Sequence, residues 1–396
     1  MPISHPRLRP VQAVQGGSEG RVELELRDGD ASARMRLNPA GLFMASLMDG
    51  SRSLERIAEE VGRQIGCKVG VERVEALSRA LAEAGLLEDE EGRSRGRTSG
   101  EARKRPSPRR AAHAGAVYPG DLGRCRDFFA RMLSEYSVGD RASARGLVSP
   151  HIDYARGREA YARLWSGVDL TGVERVVVFG TSHAAARSPY VFTRRDFETP
   201  LGLAHTDRTW VDRVADDLGE RVFDEEYLHC AEHSIELQIP FIQQLGPVAI
   251  VPVLCGSVHR SVLSGFRPES DSDVGAHERA MRAALEGCAG RTLLVAAADL
   301  AHVGQQFGDE GPLEDDALRE VQARDEALLD IVEAGDPEAF YDHVAEDRDA
   351  RRICGFAPIW TVLRLLRGAR GQVAHYGQAV DRGIHSAVTF ASVVLD

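Results

Sequence analysis

The sequence predicts an α/β protein in which helices flank a mainly parallel or mixed sheet, preceded by a small winged-helix domain. Two observations predict this architecture. Short, continuous apolar runs alternate with helical stretches through the larger C-terminal part of the chain, which is typical of a sheet covered on both faces. A compact helical pattern fills the first 90 residues and ends at a highly charged segment. A chain of 396 residues has room for two or three domains.

The first 90 residues begin with a predicted hairpin. Arg21–Arg27 alternates apolar and polar side chains, a turn follows at Asp28–Asp30, and Ala33–Leu37 returns as the second strand. Three helices are then expected, each with a start signal or apolar residues at helical spacing. They begin after Asn38, after Ser53 and at Val71, and a hydrophobic exit follows at Leu86 and Leu87. These elements describe a winged helix.

The segment from Glu88 to Arg110 is rich in charged residues and has almost no side chain to bury. Such a composition does not offset the entropy that is lost on ordering, so it predicts a flexible linker. The predicted organisation is therefore a winged-helix domain at residues 1–90, a linker at 91–112 and a large domain at 113–396.

In the large domain, five short apolar runs predict buried strands. They are Arg145–Ser149, Arg175–Phe179, Val248–Leu254, Thr292–Ala297 and Ala387–Leu395. Helices are predicted at Leu122–Tyr136, Arg208–Leu218, Ile235–Leu245, His277–Gly287, Glu314–Ala334 and Pro358–Arg367. Strands and helices that follow one another in this order favour a sheet whose neighbouring strands run parallel.

Composition and charge exclude several classes of protein. No apolar run approaches the roughly 20 residues that span a bilayer, and residues 1–10 lack the apolar core of a secretory signal. We therefore expect a cytoplasmic protein that neither spans nor binds a membrane. A formal net charge of -12 argues against nucleic-acid binding. The first 90 residues hold 12 basic and 15 acidic residues, which favours a docking module over a DNA-binding winged helix.

Polar side chains follow three of the predicted strands directly. His151, Asp153 and Tyr154 come after the first, Ser182 and His183 after the second, and Asp299 and His302 after the fourth. Ligands of open α/β sheets bind outside the carboxyl ends of the strands. A single histidine there is more often a cap or a core residue, but three such placements in one domain predict a site.

Two of these histidines, His151 and His183, suit a divalent transition metal. Cys354 is the strongest candidate for a third ligand, because it directly precedes an apolar helix. A helix N-terminus favours the thiolate, which helps both metal binding and nucleophilicity. The alternative interpretation of Cys354 is an inert buried cysteine.

Further residues are expected to line the same pocket. Glu232 and His233 open a predicted helix, although acidic residues in a first turn are also ordinary partners of the helix dipole. His302 is a candidate general acid or base, since its ordinary pKa lies near neutrality. Asp299 either orients His302 or caps a helix that follows it.

Nine segments then occur in a recognisable order: AGAVYPG, VSPHIDY, FGTSHA, ETPLG, AEHSIELQIPF, IVPVLCG, AADLAHVG, DPEAFY and ICGFAPI. Together they resemble the Memo family, known in prokaryotes as AmmeMemoRadiSam system protein B, over nearly the whole large domain. The segments LNPAGLFMASLMDGSRSLERIAEEV and VEALSRALAEAGLLEDE resemble the PqqD-like family of peptide-recognition domains.

The resemblance implies a fold similar to that of the LigB-type extradiol dioxygenases, which hold non-haem iron with two histidines and a carboxylate. It implies metal ligands at His151, His183 and Cys354, with Asp299 and His302 as further pocket residues. A thiol in place of the carboxylate favours copper or alters the redox behaviour of iron. After the second strand the family more usually has two consecutive histidines, whereas this chain has His183 followed by Ala184. Classical ring cleavage is therefore not expected.

Three functions remain open from the sequence. The first is an iron- or copper-dependent redox enzyme acting on a small molecule or a peptide. The second is a non-catalytic metal- or peptide-binding scaffold, because the resemblances imply a radical SAM partner, an AMMECR-type partner and a peptide ligand of the N-terminal domain. The third is metal-assisted hydrolysis with Glu232 or Asp299 as the base. The chain has no CxxxCxxC cluster motif of its own.

Overall fold

The structure of the protein is a computed structural model. It describes residues 108–136 and 143–396 and, nearer the N-terminus, residues 5, 6, 8, 11–15, 22–28, 31–37, 39–48, 52–65, 69–84, 86 and 87. The chain divides into two compact units, residues 1–105 and 106–396. Residues 91–107 of the predicted linker lie outside the described residues. Residues 108–112, also assigned to the linker, belong to the second unit, where Arg109 is buried.

The first unit contains a three-stranded antiparallel sheet followed by three helices. The strands are β1 (Val11–Gln15), β2 (Val22–Asp28) and β3 (Ala31–Leu37), in the order β1-β2-β3. The helices are α1 (Pro39–Ser46), α2 (Leu54–Ile65) and α3 (Val71–Glu83). The hairpin and the three helices lie where the sequence predicts them, whereas β1 was not predicted. The winged-helix assignment stays a prediction.

The second unit is built around an eight-stranded mixed sheet. The strands and two further short ones are β4 (Gly146–Ser149), β5 (Val173–Thr181), β6 (Tyr190–Phe192), β7 (Phe197–Thr199), β8 (Gly202–Ala204), β9 (Ala249–Cys255), β10 (Arg291–Ala297), β11 (Asp299–Gly304), β12 (Gly371–Asp381) and β13 (Ser386–Leu395). The order is β11-β13-β4-β10-β5-β9-β6, with β12 paired to β13, while β7 and β8 form a separate hairpin. The fold class predicted from the sequence is confirmed.

The centre of the sheet is parallel and its edges are antiparallel. Strands β4, β10, β5 and β9 run parallel, and β6, β11, β12 and β13 pair antiparallel with their neighbours. Both faces of the centre are buried, because Val177 and Phe179 pack into one apolar cluster while Val176 and Val178 pack into another. This explains why these strands read as continuous apolar runs in the sequence.

Helices cover both faces of this sheet. In the second unit they are α4 (Leu122–Glu135), α5 (Tyr154–Ser166), α6 (Arg208–Leu218), α7 (His233–Glu236), α8 (Ile239–Leu245), α9 (Arg260–Ser264), α10 (Ser272–Gly287), α11 (Asp315–Ala334), α12 (Pro337–Ala345) and α13 (Phe356–Leu366). Helices α4, α5 and α8 pack on one face, and α6, α10, α11, α12 and α13 on the other. No helix in the described parts of the chain is long and apolar enough to cross a membrane.

One local prediction was wrong, and one of the two alternatives given for Asp299 does not hold. The helix expected over Ile235–Leu245 is two shorter helices, because Pro240 lacks an amide hydrogen and its ring conflicts with the carbonyl four residues earlier. No helix follows Asp299. That residue begins β11, which pairs antiparallel with β13, and such distant pairing overrides local propensity.

One face of the sheet is held by a buried aromatic cluster around Phe241. Its ring stacks on Tyr161 and Trp165 with centroid distances of 5.4 and 5.8 Å. Phe129 contacts it edge-on at 4.9 Å. These rings join α4, α5 and α8 into one layer, and the Tyr161 hydroxyl donates to the carbonyl of Ile152 in the loop after β4 at 2.9 Å.

We expect Phe241→Ala to lower the free energy of unfolding of the second unit by about 3–5 kcal/mol, because it opens a cavity among fully buried rings. Phe266→Ala is the matched control, since Phe266 is 70% exposed, and its effect should stay within about 0.5 kcal/mol. Urea unfolding followed by tryptophan fluorescence measures this unit alone, because the three tryptophans all lie in it. Equal effects of the two substitutions would contradict this description of the core.

Candidate metal centre

Three histidines from three segments meet beyond the carboxyl ends of the central strands. His151 follows β4, His183 follows β5, and His233 begins α7. One ring nitrogen of each lies within 4.8 Å of the other two. The ring centroids are 5.0 Å apart for His151 and His183, 5.3 Å for His151 and His233, and 4.6 Å for His183 and His233. The sequence predicted the first two as ligands and placed His233 only in the pocket lining.

The position of His233 depends on a close approach between α7 and β5. A side chain at Gly180 in β5 would meet Ile235 and Ser234, because a Cβ built there lies 2.5 Å from atoms of both. Glycine therefore lets α7 lie against the strand. The Glu232 carboxylate caps this short helix by accepting hydrogen bonds from the amides of His233 and Ser234, at 2.8 and 2.9 Å.

Hydrogen bonds fix which nitrogen of two rings carries the proton. His151 Nδ1 lies 2.9 Å from the carbonyl oxygen of Ala297, and His183 Nδ1 lies 3.0 Å from Glu232 Oε1. A carbonyl and a carboxylate only accept hydrogen bonds, so each Nδ1 is the donor. Each Nε2 is then left with its lone pair, which is the form that binds a metal ion.

The electrostatics favour neutral rings at two of the three positions. Burial, together with the nearby His183, lowers the pKa of His151 to about 3. Burial likewise lowers the pKa of His233 to about 3. Burial opposes protonation of His183 as well, but the Glu232 carboxylate raises the pKa of that ring. Burial would raise the pKa of Glu232, yet the charge and hydrogen bonds of His183 hold it well below its usual value.

Cys354 lies beside this group. Its Sγ is 3.2 Å from His151 Nε2 and 3.9 Å from the carbonyl oxygen of Asp299. Gly355 permits this approach, because a Cβ there would lie 2.3 Å from the same carbonyl oxygen. The expectation that the helix N-terminus favours the thiolate was wrong for the protein alone, since burial and then the charge of Asp299 raise the pKa of Cys354 well above its usual value. A bound cation would favour the thiolate.

Asp299 and His302 both lie near the site, and they interact through their charges while their hydrogen bonds go to different partners. The Asp299 carboxylate accepts hydrogen bonds from the amides of His151 and Ile152, at 2.9 and 3.2 Å. It therefore anchors the loop after β4 and does not hold the ring of His302. His302 Nδ1 lies 3.1 Å from the carbonyl of Leu300, and burial lowers the pKa of the His302 ring.

The other predicted pocket residues have structural contacts. Asp153 caps α5 by accepting from the amides of Ala155 and Arg156. Tyr154 is buried, and its hydroxyl donates to the carbonyl of Leu237 at 2.6 Å. Ser182 donates to the carbonyl of Ala184 at 2.9 Å.

A buried arginine positions the segment that carries Glu232. The Arg109 guanidinium donates to the carbonyl oxygens of His229 and Glu232, at 2.9 and 2.8 Å, and forms an ion pair with Glu236. Glu236 also accepts the amide hydrogen of His113 at 2.9 Å and the hydroxyl hydrogen of Tyr118 at 2.7 Å.

His113 thereby reaches the centre, with its ring centroid 5.8 Å from that of His233. Sequence reasoning missed both Arg109 and His113, since Arg109 stands among the charged residues of the predicted linker. The one signal was the ordered motif AGAVYPG directly after them.

The same region carries the similarity to known proteins. Residues 109–394 match the family model described as "Memo-like protein". The chain belongs to the Memo family. A MEMO1 family protein of Thermus thermophilus is 31% identical over 88% of this chain and 100% of its own length.

Two further relatives show how far the similarity extends. A MEMO1 family protein of Aquifex aeolicus is 25% identical over 90% of this chain and 91% of its own length. A protein memo-1 homolog of Caenorhabditis elegans is 30% identical over 72% of this chain and 82% of its own length. The bacterial matches cover more of this chain than the family segment alone, so the similarity extends into the first unit.

We expect Glu232→Gln to weaken metal binding by about 10–100-fold, because the amide cannot accept from all of the groups that orient His183 and His233. Titration against a chelator of known affinity measures the change. Glu278→Gln is the matched control, because Glu278 is also buried but binds Arg282 and Arg364 instead. Equal affinities of the two variants would contradict the assigned role of Glu232.

The Arg109–Glu236 pair predicts a pH-dependent stability. Burial would raise the pKa of Glu236, but Arg109 and the donors to the carboxylate lower it. A lowered pKa stabilises the fold above the unfolded value of about 4.3, and this contribution is lost as the pH falls through the folded pKa.

At pH 7 we expect Glu236→Gln to cost about 3–5 kcal/mol, because Arg109 stays buried without its partner. Urea unfolding should show that the free energy of unfolding of the variant differs less from that of the wild type at pH 3 than at pH 7. Glu338→Gln, in the half-exposed pair with Arg364, serves as the control. A difference that does not change with pH would contradict the role given to the charge of Glu236.

Proposed function

We propose that the protein is a Memo-family metalloprotein whose centre binds iron or copper and carries out redox chemistry on a small molecule or a peptide. One observation carries the proposal: three imidazoles meet at a strand edge, and the Nδ1 hydrogen bonds of His151 and His183 leave Nε2 as the ligand atom of each ring. A set of imidazoles beside a thiol fits iron or copper, because imidazole suits both metals and thiolate favours the softer copper(I).

The chain's own residues have distinct roles in this proposal. His151, His183 and His233 would hold the ion, with Cys354 as the adjacent sulfur ligand. A bound ion would supply electron transfer to or from the substrate. Glu232 and Asp299 keep the ligand loops in place through their hydrogen bonds.

His302 is the candidate proton carrier. Burial keeps its ring neutral near pH 7, and its Nδ1 donates to the carbonyl of Leu300. Its Nε2 is then able to accept a proton from substrate.

The alternative function is a non-catalytic scaffold that docks a radical SAM partner through the first unit. The similarity to the two bacterial relatives extends beyond the family segment into the first unit, which supports a role for that unit in these proteins. Family resemblance also implies an AMMECR-type partner and a peptide ligand for the PqqD-like unit. We further propose a cytoplasmic location, which fits the unpaired thiols of Cys125, Cys255 and Cys354.

Metal analysis of anaerobically purified protein tests the proposed function. We expect near-stoichiometric iron or copper in the wild type and loss of most of it in His151→Ala, His183→Ala and His233→Ala. Cys354→Ser should bind the metal more weakly, and His302→Ala should retain it, since that ring is assigned to proton transfer. Electron paramagnetic resonance after ferricyanide and after dithionite should show a reversible change of oxidation state.

Two results would contradict the redox proposal. Metal content unaffected by the histidine substitutions would place the ion elsewhere. Redox-inactive zinc as the native ion would favour hydrolysis instead. Removal of residues 1–90 then separates enzyme from scaffold: metal binding should persist, whereas co-purification with the radical SAM and AMMECR-type proteins should be lost.

A further inference from the structure

The loop that carries Cys354 has an unusual backbone. It runs from the end of α12 to the start of α13, and three of its residues, Arg348, Asp349 and Arg352, have φ angles of 56°, 55° and 54°. Residues other than glycine seldom adopt this left-handed conformation. The local sequence therefore does not favour the path of this loop, so contacts from outside must hold it.

Asp349 makes such a contact, with a carboxylate that is 3% exposed. One of its oxygens, Oδ1, accepts the amide hydrogen of Ile353 at 2.8 Å, directly before Cys354. The other, Oδ2, lies 2.9 Å from Nε2 of His259. His259 ends the short helical turn Ser257–His259, which follows β9. The carboxylate thus ties the Cys354 loop to an element that the rest of the sheet holds in place.

His259 also contacts the chain on the C-terminal side of Cys354. Its ring lies edge-on to Phe356, with centroids 5.5 Å apart, and Phe356 is the first residue of α13. Between these two contacts, the carbonyl of Cys354 accepts from Thr181 Oγ1 at 2.9 Å, and its Sγ lies 3.2 Å from His151 Nε2. The direction of the thiol therefore depends on a loop that the pair holds on both sides.

We propose that His259 and Asp349 are positioning residues, a clamp that fixes the loop of Cys354 and so holds its thiol against His151. The inference deepens the proposed function and rests on it in treating Cys354 as part of the metal centre. In this proposal both residues act through the loop of Cys354, and not through contact with the three histidines. Sequence reasoning gave His259 no function, because the loop brings the two residues together over a separation of 90 positions.

The rate at which iodoacetamide alkylates Cys354 in the metal-free, full-length protein tests the clamp. Cys354 is only partly exposed, so full access of the reagent to its thiol depends on local opening of its surroundings. We expect His259→Ala and Asp349→Gly to raise the rate about tenfold, the factor that corresponds to about 1.4 kcal/mol. After tryptic digestion, Cys354 is the single cysteine of the peptide Ile353–Arg364, so mass spectrometry measures its modification directly.

Three controls separate the clamp from a general loosening. Glycine at 349 removes the carboxylate without opposing the positive φ, and Arg348→Gly makes the same backbone change at a neighbour with nearly the same φ. His259→Gln keeps a nitrogen donor at similar reach and should restore the slow rate. Cys288, on the tryptic peptide Ala283–Arg291, reports the rest of the unit and should react as in the wild type.

Wild-type rates at Cys354 in both His259→Ala and Asp349→Gly would overturn the proposal. An equal rise in Arg348→Gly, or at Cys288 in the same variants, would also overturn it. The cobalt(II)-loaded protein then gives a separate reading: the thiolate-to-cobalt charge-transfer band should weaken in the two clamp variants and recover in His259→Gln. A wild type without that band would contradict metal ligation by Cys354, and the alkylation rates would still decide the clamp.

Discussion

The geometry of the centre depends on one buried carboxylate. Glu232 accepts the ring and the backbone hydrogens of His183 and the amide hydrogens of His233 and Ser234. A single acidic group thus orients one imidazole, caps the helix that presents a second, and brings two distant segments together. Because its oxygens already accept these four hydrogen bonds, the carboxylate would act on a bound ion through the histidines, as outer-sphere carboxylates do in many metalloproteins.

The backbone of Glu232 is itself held by Arg109, the first residue of the family segment. Arg109 donates to the carbonyl oxygen of Glu232, and its ion pair with Glu236 secures the same turn from the other side. Burying an arginine is costly unless its charge is paired and its donors are used. Here the guanidinium has two carbonyl acceptors and a carboxylate. The point at which the family match begins is therefore a structural support of the centre.

The sequence was sufficient where the information is local. Buried strands could be predicted from continuous apolar runs, and His151 and His183 from their positions after β4 and β5. His233 was assigned to the pocket lining only, because its approach depends on Gly180 leaving room for α7. The role of Asp299 could not be predicted, since β11 exists through pairing with β13, almost 90 residues away in sequence. Arg109 was hidden among charged neighbours, and burial cannot be inferred from composition.

We infer above all that the ring nitrogens of His151, His183 and His233 form a metal site that Glu232 orients. The most direct measurement is anomalous diffraction from crystals of the iron- or copper-loaded protein, with data collected on both sides of the metal absorption edge. We expect one dominant anomalous peak within bonding distance of these three rings, about 2.0–2.2 Å from their nitrogens. A dominant peak elsewhere in the chain, or no peak in protein shown to contain the metal, would contradict it.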